Sequence, residues 1–113
     1  MSHEAVSLAA AFEPPYVAVI FTSELARSAG EGYAETARRM EALAREQPGY
    51  LGFESVKQGS TGISISYWRD DASVLAWKRE AEHAAAQQQG RKAWYVRYHV
   101  RIARVERAYS FER

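Results

Sequence analysis

The chain has 113 residues, of which 47% are apolar and 26% charged, the proportions of an ordinary globular domain. Its 15 Lys and Arg against 14 Asp and Glu leave a formal net charge of +1, which gives no general reason to expect nucleic acid or a membrane surface as partner. There is no cysteine, which excludes disulfides, thiolate catalysis and zinc–sulfur centres, and no run approaches the ~20 apolar residues a membrane helix needs.

In chain order, residues 1–15 read as an arm that ends at Pro14-Pro15, and residues 16–113 as one domain. The arm makes a poor signal peptide: it has no basic n-region, and its apolar run AVSLAAAF is interrupted by Ser7 and flanked by Glu4 and Glu13. A cytoplasmic location is the expectation.

YVAVIFTS (16–23) is a short apolar, β-branched run and predicts a buried central strand. A helical pattern follows from Tyr33 to Gln47, with Tyr33, Ala37, Met40, Leu43 and Ala44 on one stripe. Glu35–Arg39 and Glu41–Arg45 form i, i+4 pairs on its wet side, and Pro48-Gly49 ends it.

YLGFESVK (50–57) alternates, with Leu51, Phe53 and Ser55 opposite Tyr50, Glu54 and Val56. GSTG (59–62) predicts a hairpin turn into ISISYWR (63–69). In that strand Ile63, Ile65 and Tyr67 are expected to face the helices, and Ser64, Ser66 and Trp68 the other way. Asp70, Asp71 and Ser73 offer N-caps for a second helix from about Ala72 to Gln88, closed by Gly90.

The last segment, WYVRYHVRIARVERAYSF (94–111), is long for a strand. Trp94, Val96, Tyr98, Val100 and Ile102 alternate with Tyr95, Arg97, His99 and Arg101, and Val105 breaks the parity, which predicts a bulge near Ala103–Arg104. Arg91, Lys92, Arg97, Arg101, Arg104 and Arg107 face Glu106 alone in this region. Such a row can hold an anion or simply be a solvated or intersubunit face.

The order strand, helix, strand, strand, helix, strand predicts the α+β, ferredoxin-like split βαβ arrangement, one antiparallel sheet with both helices on one face. The other face would then hold Trp68, Tyr95, Ser64, Ser66, Arg97 and His99. A mixed face of that kind predicts a homodimer with sheets face to face.

QPGYLGFES after the first helix, ISYW closing the third strand, AWKREAEHAAAQQQG on the second helix and WY…RIARVERAYSF at the end carry a family resemblance. Over roughly residues 16–111 the chain resembles the antibiotic biosynthesis monooxygenase superfamily of dimeric α+β barrels. The resemblance implies one of two chemistries. One is cofactor-free oxygenation of planar aromatic or polyketide-like rings in a pocket between sheet and helices. The other is heme binding and breakdown, in members that hold heme through a helix-two histidine with a nearby tryptophan and a first-strand asparagine. His83 and Trp77 stand where those members carry their His and Trp, six residues apart, but YVAVIFTS has no asparagine and offers Ile20 or Phe21 near its place.

Six residues along a helix leave Trp77 and His83 about 120° apart. Trp77 shares its face with Val74, Ala81 and Ala84 and reads first as a packing anchor that can also line a pocket. His83 shares its face with Ala76, Glu80 and Gln87, at the flank of the apolar stripe. It is the candidate catalytic residue: a general base that takes a phenol proton so the anion can meet O2, or an axial heme ligand. Tyr67 and Trp68 close the third strand on opposite faces, so only one of them can line the pocket with Trp77, and alternation favours Tyr67. His3, His83 and His99 form no H-x-x-x-H or H-E-x-x-H metal spacing, and no G-x-S-x-G occurs. The expected ligand is a small aromatic molecule, with a non-catalytic small-molecule-binding or stress-related dimer as the reading from another class.

Overall fold

The computed structural model describes residues 12–27, 31–86 and 94–113; of residues 31, 32 and 83–86 it describes the backbone alone. Among the described residues six elements follow in the expected order: β1 (Tyr16–Leu25), α1 (Glu31–Arg45), β2 (Tyr50–Gln58), β3 (Thr61–Trp68), α2 (Asp71–Ala86) and β4 (Tyr95–Val105). The strands form one antiparallel sheet in the order β2-β3-β1-β4. This is the ferredoxin-like split βαβ arrangement. The arm up to residue 11, the expected helix end at Gly90 and the basic pair Arg91–Lys92 lie outside the described residues.

Local chemistry sets the element ends. In α1 the Glu35–Arg39 and Glu41–Arg45 pairs form at 3.5 and 2.7 Å on the solvent side, while Ala44 is buried and Tyr33, Met40 and Leu43 half-buried. The helix stops before Pro48. Gly49 then takes φ +84°, a backbone region that side chains with a Cβ disfavour. Asp70 caps α2 by accepting hydrogen bonds from the Ser73 N–H at 2.9 Å and the Ser73 hydroxyl at 2.7 Å. These bonds, the hydroxyl's first, hold the Asp70 carboxyl below its ordinary range. The two junctions interlock. Arg69 N–H donates to the Gly49 carbonyl at 2.8 Å, and a Cβ on Gly49 would lie 1.9 Å from Ser73 Oγ.

The core joins both helices to the middle of the sheet: Val17, Ala44, Trp68 and Val74 are buried together, with Val19, Tyr50 and Trp77 packed against them. Residues directly opposite on neighbouring strands share a face, so the register assigns the rest. Val17↔Trp68, Val19↔Ser66 and Phe21↔Ser64 lie on the helix side. Ala18↔Tyr67, Ile20↔Ile65 and Thr22↔Ile63 lie on the helix-free side.

The structure corrects three expectations. The faces of β3 are exchanged: Trp68, with Ser64 and Ser66, faces the helices, and Tyr67, with Ile63 and Ile65, faces away. In β2 the pairing shifts between Tyr50↔Trp68 and Gly52↔Tyr67, so Tyr50 shares the helix side with Phe53 and Ser55 instead of standing opposite them. In β4 the irregularity falls between Leu25↔Tyr95 and Glu24↔Arg97, not near Ala103–Arg104, where pairing runs unbroken to Tyr16↔Val105. The bulge brings Tyr95 to the helix side, against Phe21 and Tyr33. Arg97 and His99 lie on the helix-free face as expected, Arg97 in an ion pair with Glu24 at 3.1 Å.

Candidate functional site

Trp68 is 0% exposed, the largest fully buried side chain among the described residues. Its indole N–H donates to Ser66 Oγ at 2.8 Å, which satisfies the one polar atom the ring must bury. Trp77 from α2 stacks on it with ring centroids 5.6 Å apart and planes 21° from parallel, and Tyr50 meets it edge-on at 5.7 Å. Burial raises the Tyr50 phenol above its ordinary pKa, against the nearby Arg45 guanidinium, which lowers it. One end of the helix side is thus walled by three aromatic rings whose orientation is fixed by packing and one hydrogen bond.

A second aromatic cluster stands at the other end. Phe21 stacks on Tyr98 at 5.2 Å and meets Tyr95 edge-on at 5.7 Å, while Tyr33 of α1 contacts Trp94 at 5.7 Å and Tyr95 at 5.9 Å. The strand surface between the clusters carries Val19, Phe53, Ser55, Ser64, Val100 and Ile102. It is an apolar floor with two serine hydroxyls, bounded by ring walls. Such a surface suits a flat molecule with a few oxygens, because ring faces supply area and hydroxyls supply direction.

Of the four residues singled out by sequence, the structure brings Trp68 and Trp77 together and leaves Tyr67 apart. Tyr67 donates to the Glu54 carboxylate at 2.5 Å on the helix-free face and packs with Tyr16 and Phe12, each at 5.6 Å. Burial first, and then the Glu54 carboxylate, push the Tyr67 phenol well above its ordinary value, so it stays protonated. His83 lies on α2, about 9 Å further along the helix axis than Trp77; its side chain falls outside the described residues. Tyr33, Tyr50, Phe21, Tyr95 and Tyr98 were not singled out from the sequence as wall residues. The density of aromatic rings in WYVRY was the available signal. Among the described residues no three His, Asp or Glu side chains converge on a metal-sized site, and no helix is long and apolar enough to cross a membrane.

The sequence profile of the antibiotic biosynthesis monooxygenase family matches residues 16–89. YqjZ of Bacillus subtilis, an uncharacterized protein, is 46% identical over 101 residues, which cover 88% of each chain. The jasmonate monooxygenase ABM of Pyricularia oryzae is 29% identical over 91 residues; these cover 78% of this chain and 42% of that protein, so the chain spans less than half its length. Among solved structures, SnoaB, a cofactor-independent oxygenase from Streptomyces nogalater, superimposes with a TM-score of 0.69 at 10% identity, covering 82% of this chain and 95% of the other. PA3566 of Pseudomonas aeruginosa does so with a TM-score of 0.65 at 22% identity, covering 88% of this chain and 100% of the other. At those identities the structural likeness shows the fold. With the profile matching well over half of its length and YqjZ this similar over most of it, the chain belongs to the antibiotic biosynthesis monooxygenase family.

Proposed function

We propose that the protein is a cofactor-independent monooxygenase of a planar phenolic or polyketide-like molecule, bound on the helix side of the sheet. The observation that carries this reading is the stacked Trp68–Trp77 pair, backed by Tyr50 and facing a second aromatic cluster across an apolar floor. Trp77 offers the substrate a ring surface, and Trp68, held by Ser66, keeps Trp77 in place.

The chemistry then needs one base and water exclusion. His83 takes a proton from the acidic ring position, and the resulting anion gives its electron pair to O2, forming a carbon–oxygen bond. The oxygen–oxygen bond of the hydroperoxide breaks with loss of water. For a ring methylene the balance is one methylene and one O2 giving one carbonyl and one water: the carbon loses four electrons and O2 gains four. An apolar floor favours the step because it strips water from the anion. The SnoaB likeness and the jasmonate monooxygenase relationship support an oxygenase reading, each through that protein's own activity.

In the same reading the chain works as a homodimer through its helix-free face. That face presents Ile20, Ile63, Ile65 and Val56, of which Ile63 and Val56 are exposed, apolar side chains that a partner's sheet would cover.

Oxygen-electrode traces with a panel of hydroquinone-like rings test the activity. At least one ring should raise O2 consumption above the buffer rate, and His83→Ala should return it to that rate. Uptake unaffected by the whole panel would remove the reading.

A further inference from the structure

The helix side of the sheet is polarised along its length. One end carries the Trp68–Trp77 stack and Tyr50. Towards the other end β2 and β3 turn polar. Ser55 lies directly opposite Ser64; two residues further on, Lys57 lies opposite Gly62, which on its other side pairs with Ser23 of β1. Ser55, Ser64 and Lys57 are half-buried, and Ser23 is buried. Gly62 keeps the space between Lys57 and Ser23 open: a Cβ there would lie 3.4 Å from Ser23 Oγ.

Charge is sorted between the two faces. The carboxylates on the described strands, Glu24 and Glu54, both lie on the helix-free face, where Glu24 pairs with Arg97 and Glu54 accepts from Tyr67. The helix side has Lys57 near one end and Arg104 at the other, and Arg104 pairs with Glu106 at 3.7 Å. Among the described residues no carboxylate forms an ion pair with Lys57. A half-buried lysine gives up part of its hydration, and here no neighbouring charge replaces it.

We propose that Lys57 and the Ser55 and Ser64 hydroxyls form a carboxylate subsite, and that the substrate is a fused aromatic ring carrying a carboxylate at the end away from Trp77. The inference rests on the helix side being the substrate site. The ammonium supplies the opposite charge, and the paired hydroxyls donate to the carboxylate oxygens. One ammonium with two hydroxyls matches a singly charged group. A phosphate monoester carries nearly two charges and is better met by the planar fork of an arginine, which this end of the strands lacks on the helix side. The length also fits. Trp68 to Gly62 spans six residues of β3, roughly 20 Å. With an indole at one end and a lysine stem at the other, the room left suits fused rings better than a single one. Holding both ends fixes the ring along the floor, which a reaction at one carbon requires.

The test uses two non-reacting probes, 2-naphthoate and its methyl ester, with binding read from quenching of tryptophan fluorescence. The wild type should bind the acid about tenfold more tightly than the ester, the gain of a charge-assisted contact. Lys57→Met should abolish that preference and leave ester binding unchanged, and Lys57→Arg should keep most of it. Lys78→Met, on the exposed side of α2 beside Glu82, should change neither affinity. Equal affinity for acid and ester in the wild type, a preference that survives Lys57→Met, or no quenching by either probe overturns the proposal. The wild-type comparison stands even if a variant fails to fold. Binding is read without turnover, so the two readings fail separately. A carboxylate preference in a protein that consumes no O2 with any ring removes the monooxygenase reading alone, and O2 uptake without a carboxylate preference removes the subsite alone.

Discussion

Replacing Trp68 by alanine tests where the core lies, because the sequence pattern and the structure give opposite answers. The indole is wholly buried against Val17, Val74 and Trp77, with its N–H on Ser66. An aromatic side chain of this size buries roughly 150–250 Å², worth about 4–6 kcal/mol at ~25 cal/mol per Å² as an upper bound. Large-to-small core substitutions of Trp and Phe cost about 3–5 kcal/mol, so Trp68→Ala should fall in that range, a large part of the ~5–15 kcal/mol a domain possesses. Trp68→Phe keeps most of the packing and loses the bond to Ser66, at about 1–2 kcal/mol. Tyr67→Ala, on the helix-free face, should cost less than Trp68→Ala by at least ~1 kcal/mol. Urea unfolding at one fixed chain concentration measures all three, which keeps any association term constant. If Tyr67→Ala proves the more damaging, or Trp68→Ala costs under ~1 kcal/mol, the face assignment and the site built on it are wrong.

Gly49→Ala should destabilise by about 2–4 kcal/mol, since it combines a left-handed backbone with a Cβ aimed at Ser73; urea midpoints will show it, and Ser73→Gly in the same chain should recover only the part due to the clash. At high pH, the Tyr67 phenol should titrate above the ordinary phenol range. Its folded pKa is raised, so its stabilisation is complete below the ordinary phenol value of about 10 and is lost as pH climbs through the folded value. Tyrosinate absorbance and alkaline melting of Tyr67→Phe would check this, and an unchanged alkaline limb would contradict it. Asp70 works in the opposite sense: its folded pKa is depressed, so its contribution stands above about pH 4 and fades as pH falls further. Asp70→Ala should melt earlier at neutral pH and lose that part of the acid dependence. In a hemin titration no saturable Soret shift dependent on His83 is expected, and one heme per chain, lost in His83→Ala, would bring the heme chemistry forward instead.

The order and type of the six elements were legible in the sequence because strand and helix periods, the Gly49 and Asp70 junctions and the hairpin at Gly59 all agree. The faces were harder. ISISYW offers two apolar isoleucines on one parity and two serines with a tryptophan on the other, and the usual inward rule follows the isoleucines. In the fold the serines lie beneath the helices with Trp68, and the isoleucines belong to the helix-free face. The shift at Leu51 leaves no mark in YLGFE, since Gly52 has no side chain to reveal its side. Val105 looked like a broken parity. It instead pairs with Tyr16 on the helix-free face, and Arg104 opposite Val17 reaches water at the strand end. Trp77 was legible as an anchor, but its stacking partner could be identified only once the faces were known.

The most direct test of the central claim supplies isotopically labelled O2 to the protein with a responsive phenolic ring and measures the label by mass spectrometry in wild type, Trp77→Ala and Tyr67→Phe. The expected result is one labelled atom in the product and the other in water, with turnover collapsing in Trp77→Ala on the helix side and surviving in Tyr67→Phe on the far face. Incorporation that is lost in Tyr67→Phe and untouched by Trp77→Ala would place the chemistry on the other face of the sheet and contradict the proposed site.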